Sequence, residues 1–185
     1  MKSINVWGDG GVILTRDGEL AEQLRLYRNH GLCNRDDAEI FGINSRLDTV
    51  QAVVGSWLIQ NAERITESRI RVAERYDSAF RALNGAVSVP HRRQEVRHVF
   101  HLYILRVERR DELCRYLNDV GVEAKIHYPK PIHLQPAAKG LGYGKGSFPV
   151  TENDAEQIIS LPLHQYLAGE EIEFVNEKVR DFYVS

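Results

Sequence analysis

The feature that most constrains the fold is a helical pattern of about thirty residues that runs from residue 50 to residue 80. Apolar side chains recur at helical spacing along one face of it, namely Val50, Val54, Leu58, Ile65, Val72, Tyr76 and Phe80. A helix of this length would span ~45 Å, which is longer than the core of a small domain. The pattern therefore predicts a long helix that bridges two domains, and Asn84-Gly85 is expected to end it.

The chain on either side of this helix predicts an α/β protein. Before the helix, residues 12–15 have the pattern of a short buried strand, and residues 19–28 that of a helix closed by a left-handed Gly31. After the helix, strands are predicted at 87–89, 99–107 and 122–127, and helices at 111–120, 152–159 and 170–182. A long loop rich in proline and glycine covers residues 128–149, and loops of this length usually serve a function. We therefore expect one domain over residues 1–65 and a small α+β domain over 66–185.

Composition excludes several classes of function. The formal net charge is −2, so no overall basic field attracts nucleic acid or an anionic membrane. No apolar run approaches the ~20 residues that cross a bilayer, and the first residues lack a secretory signal. The two cysteines are isolated, which favours a reducing compartment. The expected location is the cytoplasm, with no nucleic acid and no membrane among the partners.

General motifs assign no activity. Gly8-Asp9-Gly10-Gly11 lacks both the third glycine and the leading strand of a dinucleotide-binding turn, so a tight turn is the better interpretation. His127 and His133 share the long loop but have no third ligand at a familiar spacing, and no metal site is expected.

A specific resemblance comes from ordered motifs along nearly the whole chain. Lys2-Ser3-Ile4-Asn5-Val6-Trp7-Gly8-Asp9-Gly10-Gly11-Val12-Ile13 is similar to the segment that begins at the cofactor lysine of DegT/StrS-type sugar aminotransferases. Further similar segments follow in the family's order, namely residues 28–31, 42–48, 51–52, 127–129, 132–136, 148–150 and 160–164. The resemblance implies part of the type I fold of transferases that use pyridoxal 5′-phosphate (PLP): the end of the large domain, a long bridging helix and the small C-terminal domain.

The resemblance also implies roles for individual residues. Lys2 matches the lysine that holds PLP covalently and shuttles the proton, and Asn44 matches an asparagine that reaches the PLP phosphate of a partner subunit. His127, Tyr128 and His133 match the loop that lines the substrate side of the pocket. From the residues alone, Asn44 is equally well explained as a left-handed turn residue, and the histidines and tyrosine as part of a surface loop braced by prolines.

Two functional hypotheses follow from the resemblance. In the first, the chain is the C-terminal half of an enzyme that transfers an amino group from glutamate or glutamine to a nucleotide-linked keto sugar, and the full-length protein is a homodimer. In the second, it is a non-catalytic subunit or interaction domain that needs a partner with the missing PLP-binding half. The family's other half should supply the stacking on the cofactor ring, the carboxylate at the ring nitrogen and most phosphate contacts.

Overall fold

A computed structural model describes residues 5–83 and 85–184 of the chain. Contacts divide the chain into two compact units, Met1–Ala62 and Glu63–Ser185. The functional assignment of the two predicted domains, 1–65 and 66–185, stays a prediction.

The described part of the first unit, residues 5–62, has two helices and little core. Helix α1 (Gly18–Tyr27) confirms the helix predicted at 19–28, and the Asp17 carboxylate caps it by accepting a hydrogen bond of 3.1 Å from the backbone N–H of Leu20. Gly31 then adopts a φ of 76°, as its predicted left-handed role requires. A Cβ at this position would lie 1.7 Å from the carbonyl oxygen of Ile40, so only glycine fits.

The strand predicted at residues 12–15 is wrong. These residues form no strand, and Val12, Ile13 and Leu14 are 73%, 69% and 91% exposed. A strand is defined by its pairing with a neighbour, and no described residue supplies one here.

The helical pattern at 50–80 is confirmed as helix but is interrupted at Asn61. Helix α2 covers Thr49–Gln60 and helix α3 covers Ala62–Phe80. Asn61 has φ −100° and ψ 3°, and its side-chain Nδ2 donates a 2.9 Å hydrogen bond to the carbonyl of Trp57. The expectation of one continuous helix is corrected at this residue, where the backbone leaves the helical range and the carbonyl of Trp57 accepts hydrogen bonds from both the backbone N–H and the side chain of Asn61.

The second unit is an α+β structure around a three-stranded antiparallel sheet in the order β1-β2-β3. Its strands are β1 (Val87–Ser88), β2 (Tyr103–Val107) and β3 (Ile158–Leu161). Its remaining helices are α4 (Arg110–Asp119), α5 (Pro149–Gln157) and α6 (Gly169–Val184), with short 3₁₀ helices at Arg81–Leu83, Ile132–Leu134 and Pro136–Leu141. One contiguous apolar core joins the sheet to α3, α4 and α6, and Tyr76, Tyr103, Leu105, Leu113, Leu117 and Val179 are fully buried in it.

Three sequence predictions for the second unit need correction. The strand at 99–107 begins only at Tyr103, since Phe100 has a left-handed φ of 46° that breaks an extended run. Residues 122–127 contribute a single bridge, from Lys125 to Ser160, instead of a strand. The helix expected at 152–159 ends at Gln157, and Ile158–Leu161 forms the unpredicted strand β3, which pairs with β2.

Candidate functional site

The long loop at 128–149 is tied to the sheet at its start. His127 Nδ1 and Ser160 Oγ share a hydrogen bond of 2.9 Å, and the backbones of Lys125 and Ser160 exchange two hydrogen bonds of 3.1 and 2.7 Å. Ser160 belongs to β3 and is buried. The imidazole of His127 is therefore held against the central sheet.

Tyr128 follows directly in the chain, and its side chain is open to solvent. It is 72% exposed, and its ring meets the ring of His127 edge-on with centroids 5.4 Å apart. No hydrogen bond of its hydroxyl to a described residue is present, so the phenol remains available to a ligand.

His133 lies further along the loop, and its side chain is only 7% exposed. Its Nε2 donates a 2.9 Å hydrogen bond to Glu152 Oε1, and its ring packs edge-on against Phe148 with centroids 4.8 Å apart. Nδ1 is the ring nitrogen that hydrogen-bonds to no described residue. The structure brings His127 and Tyr128 into contact, whereas it pairs His133 with α5.

Glu152 is the acceptor around which this part of the loop is ordered. Its two carboxylate oxygens each lie 2.9 Å from the backbone N–H of Gly146, and Oε1 also accepts a 3.2 Å hydrogen bond from the N–H of Phe148. The Gly146 N–H lowers the pKa of Glu152 from its ordinary value, and Phe148 and His133 act in the same direction against partial desolvation. The carboxylate is therefore charged at neutral pH.

Asn44 lies in the first unit and is exposed. Its backbone forms a bridge with Asn29, and its Oδ1 accepts a 3.3 Å hydrogen bond from Arg46 Nε. The non-glycine residues with positive φ in the described chain are His30, Phe100 and Arg109. Asn44 is not among them, so a left-handed turn does not explain the asparagine at this position. Its Nδ2 hydrogen-bonds to no described residue and can donate to an anion.

The remaining predictions concern Lys2, metals and membranes. Lys2 lies outside the described residues. Within residues 5–83 and 85–184, no group of three or more His, Cys, Asp or Glu side chains is arranged to hold a metal ion. In the same residues, no helix combines the length and apolar character needed to cross a membrane.

Sequence reasoning missed Ser160 and Glu152. Ser160 falls in the segment 160–164 that carries the resemblance, so that motif marked its neighbourhood but not its contact with His127. Glu152 lies four residues after Phe148, near the start of a helix, where an acidic residue is unremarkable by itself.

The comparison with known families shows to which family the chain belongs. The sequence model of the DegT/DnrJ/EryC1/StrS aminotransferase family matches residues 1–180. The chain belongs to this family. Its fold agrees: the crystal structure of Streptomyces venezuelae DesV in complex with a ketimine intermediate superposes with a TM-score of 0.94 at 36% identity, covering 100% of this chain and 49% of that one. The predicted family and the predicted partial type I PLP-transferase fold are thereby confirmed.

Individual relatives show how much of the length is matched. The chain is 38% identical over 183 residues to a pleiotropic regulatory protein of Geobacillus stearothermophilus, covering 98% of this chain and 49% of the relative. It is 37% identical over 181 residues to dTDP-3-amino-3,4,6-trideoxy-alpha-D-glucose transaminase of Streptomyces venezuelae, covering 98% of this chain and 48% of that relative. The chain thus spans about half the length of the curated relatives it matches.

Proposed function

We propose that the chain is the C-terminal half of a PLP-dependent aminotransferase that transfers an amino group from glutamate or glutamine to a nucleotide-linked keto sugar. The observation that carries the proposal is the match over 98% of the chain to a nucleotide-sugar transaminase, together with the TM-score of 0.94 to DesV. The enzyme would act in the cytoplasm as a homodimer.

PLP is the proposed cofactor, and two positions of this chain would hold it. When bound, PLP withdraws electrons from the carbon that loses or gains the amino group. Asn44 fits a role at the phosphate, because its exposed Nδ2 is an unengaged donor among the described residues. Lys2 would hold the cofactor covalently and move the proton, which requires a neutral amine and therefore a site that lowers the ordinary lysine pKa of about 10.4.

The substrate side is proposed to be the start of the long loop. Tyr128 offers an exposed phenol, and His127 offers an imidazole that the sheet holds in place. Both groups can hydrogen-bond to the hydroxyls and phosphates of a nucleotide sugar. His133 would contribute through its Nδ1, since Glu152 occupies Nε2.

A second candidate function rests on the exposed surface of the first unit. Of the described residues up to Ala62, Leu58 is the one buried hydrophobic side chain. Trp7, Leu14 and Phe41 are 78%, 91% and 104% exposed. Such a surface suits a non-catalytic subunit or interaction domain that binds a polypeptide equivalent to the unmatched half of the relatives.

Locating the cofactor lysine tests the enzyme proposal. The chain alone should bind PLP weakly and show no turnover, since the proposed other half supplies most cofactor contacts. Co-expressed with a polypeptide equivalent to the unmatched half, it should be labelled at Lys2 after borohydride reduction and peptide mass mapping. Lys2→Ala and Lys2→Arg should abolish transamination, because neither side chain can form the covalent bond. Lys178→Ala, on α6, is the matched control and should retain both labelling and turnover.

Two outcomes would refute this assignment: an adduct on Lys125 or Lys130, or transamination that survives in Lys2→Ala. Tight stoichiometric PLP binding and turnover by the 185-residue chain alone would refute the need for a second half.

A further inference from the structure

The exposed Tyr128 lies on a short piece of loop between two fixed points. On one side, His127 is hydrogen-bonded to the buried Ser160 of the sheet. On the other side, His133 is hydrogen-bonded to Glu152 of α5, and both of these side chains are largely buried, at 7% and 13% exposure. The position of the intervening residues 128–132 therefore depends on both contacts.

The contacts of Glu152 exceed those needed to cap a helix. An acidic side chain in the first turns of a helix commonly accepts a hydrogen bond from a backbone N–H at the helix start, as Glu152 does from Phe148. The same carboxylate also accepts from Gly146, outside the helix, and from the imidazole of His133, nineteen residues earlier in the chain. It thus joins two separate stretches of the long loop to α5.

We infer that Glu152 is a positioning residue for the substrate side of the site. It fixes His133 and residues 146–148 to α5 and thereby determines the position of Tyr128. The inference rests on the proposed function only for the identity of the ligand. Oε1 receives His133, Gly146 and Phe148, whereas Oε2 receives only Gly146. A glutamine whose amide oxygen takes the place of Oε1 can therefore keep the contacts with His133, Gly146 and Phe148, while its amide nitrogen would face the Gly146 N–H in place of Oε2. An aspartate is one methylene shorter and cannot reach these groups.

Amide hydrogen exchange on the 185-residue chain tests the positioning directly. Glu152→Ala should speed exchange about tenfold or more at residues 132–135 and 146–148 and leave β2 and α6 within about twofold of the wild type. Glu152→Asp should behave like alanine, and Glu152→Gln should restore most of the protection. Glu156→Ala, an exposed glutamate of the same helix, is the matched control and should change neither stretch.

The pattern of exchange separates positioning from simple capping. If Glu152→Ala changes residues 146–148 but leaves residues 132–135 as protected as in the wild type, Glu152 is only a helix cap and the inference is wrong. In an assembly with transaminase activity, Glu152→Ala should raise KM for a dTDP-linked keto sugar about tenfold with kcat within about twofold. An unchanged KM would also refute the inference. A wild-type assembly without such activity would refute the proposed function alone, and the exchange result would still decide the role of Glu152.

Discussion

Replacing one buried leucine in each unit by alanine should have unequal effects on stability. Leu117 in α4 is fully buried and belongs to the contiguous core of the second unit. Leu58 in α2 is 8% exposed but lies outside that core. Leu117→Ala should lower the free energy of unfolding by about 2–5 kcal/mol, which is the usual range for a leucine in a close-packed core. Leu58→Ala should lower it by less than about 1 kcal/mol, since few buried neighbours lose contacts.

Urea titration followed by far-UV circular dichroism measures both changes. With a slope of about 2 kcal/mol/M, the midpoint of Leu117→Ala should fall by roughly 1–2.5 M, whereas that of Leu58→Ala should fall by less than about 0.5 M. Hydrogen exchange on the wild type should agree, with weak protection in α1, which buries no residue, and strong protection in β2 and α4. Equal midpoint shifts for the two variants, or the strongest protection at residues 11–26 of a monomer, would refute the reasoning.

Two further predictions concern charged groups of the second unit. Tyr103→Phe should lower the free energy of unfolding by about 1.5–3 kcal/mol, because the hydroxyl donates a 2.8 Å hydrogen bond to the buried Asp77 carboxylate. Tyr76→Phe should lower it by only about 0.5–1.5 kcal/mol, because that hydroxyl donates to a neutral carbonyl. Thermal unfolding that ranks the two variants in the opposite order would contradict this prediction. The pKa of Glu152 is lowered in the folded chain, so its contribution to stability is complete above the ordinary carboxyl pKa of about 4.3 and is lost as the pH falls through the lower folded value. Amide exchange at Gly146, whose N–H donates to this carboxylate, should therefore accelerate only in acid. A flat pH profile after correction for intrinsic exchange would contradict this prediction.

Much of the helical structure could be predicted from periodicity. The patterns at 19–28, 111–120 and 170–182 correspond to α1, α4 and α6 with boundaries that differ by a few residues. Apolar residues that recur at helical spacing report burial of one face within a single segment, and this information is local. The break at Asn61 was not predicted, because the apolar spacing continues across it.

Strands were predicted less well, because a strand depends on a partner elsewhere in the chain. Residues 122–127 alternate apolar and polar side chains, and residues 158–161 are a short apolar run interrupted by Ser160, yet only the second segment pairs along its length with β2. A short apolar run by itself does not distinguish a strand from a loop or the end of a helix. The start of β2 was misplaced for a different reason, since the left-handed conformation of Phe100 has no signal in its residue type.

The candidate site was predicted only as far as the family resemblance reached. His127, Tyr128 and His133 were found from matching motifs, and not from their spacing. The hydrogen bonds that fix two of them run to Ser160, thirty-three residues from His127, and to Glu152, nineteen residues from His133. Contacts over such separations depend on the tertiary structure, so local sequence patterns do not reveal them.

The wrong strand prediction at residues 12–15 is itself informative about the first unit. Val12, Ile13 and Leu14 have the composition of a buried strand, yet each is at least 69% exposed. Composition reflects the environment in which a segment is stable, and three adjacent apolar side chains in water lack the burial that would offset the ordering of their backbone. The relatives are about twice as long as this chain, so a polypeptide equivalent to their other half is the candidate to cover these residues. On this argument, addition of that polypeptide should protect the amides of residues 12–15 from exchange and leave the already protected β2 unchanged.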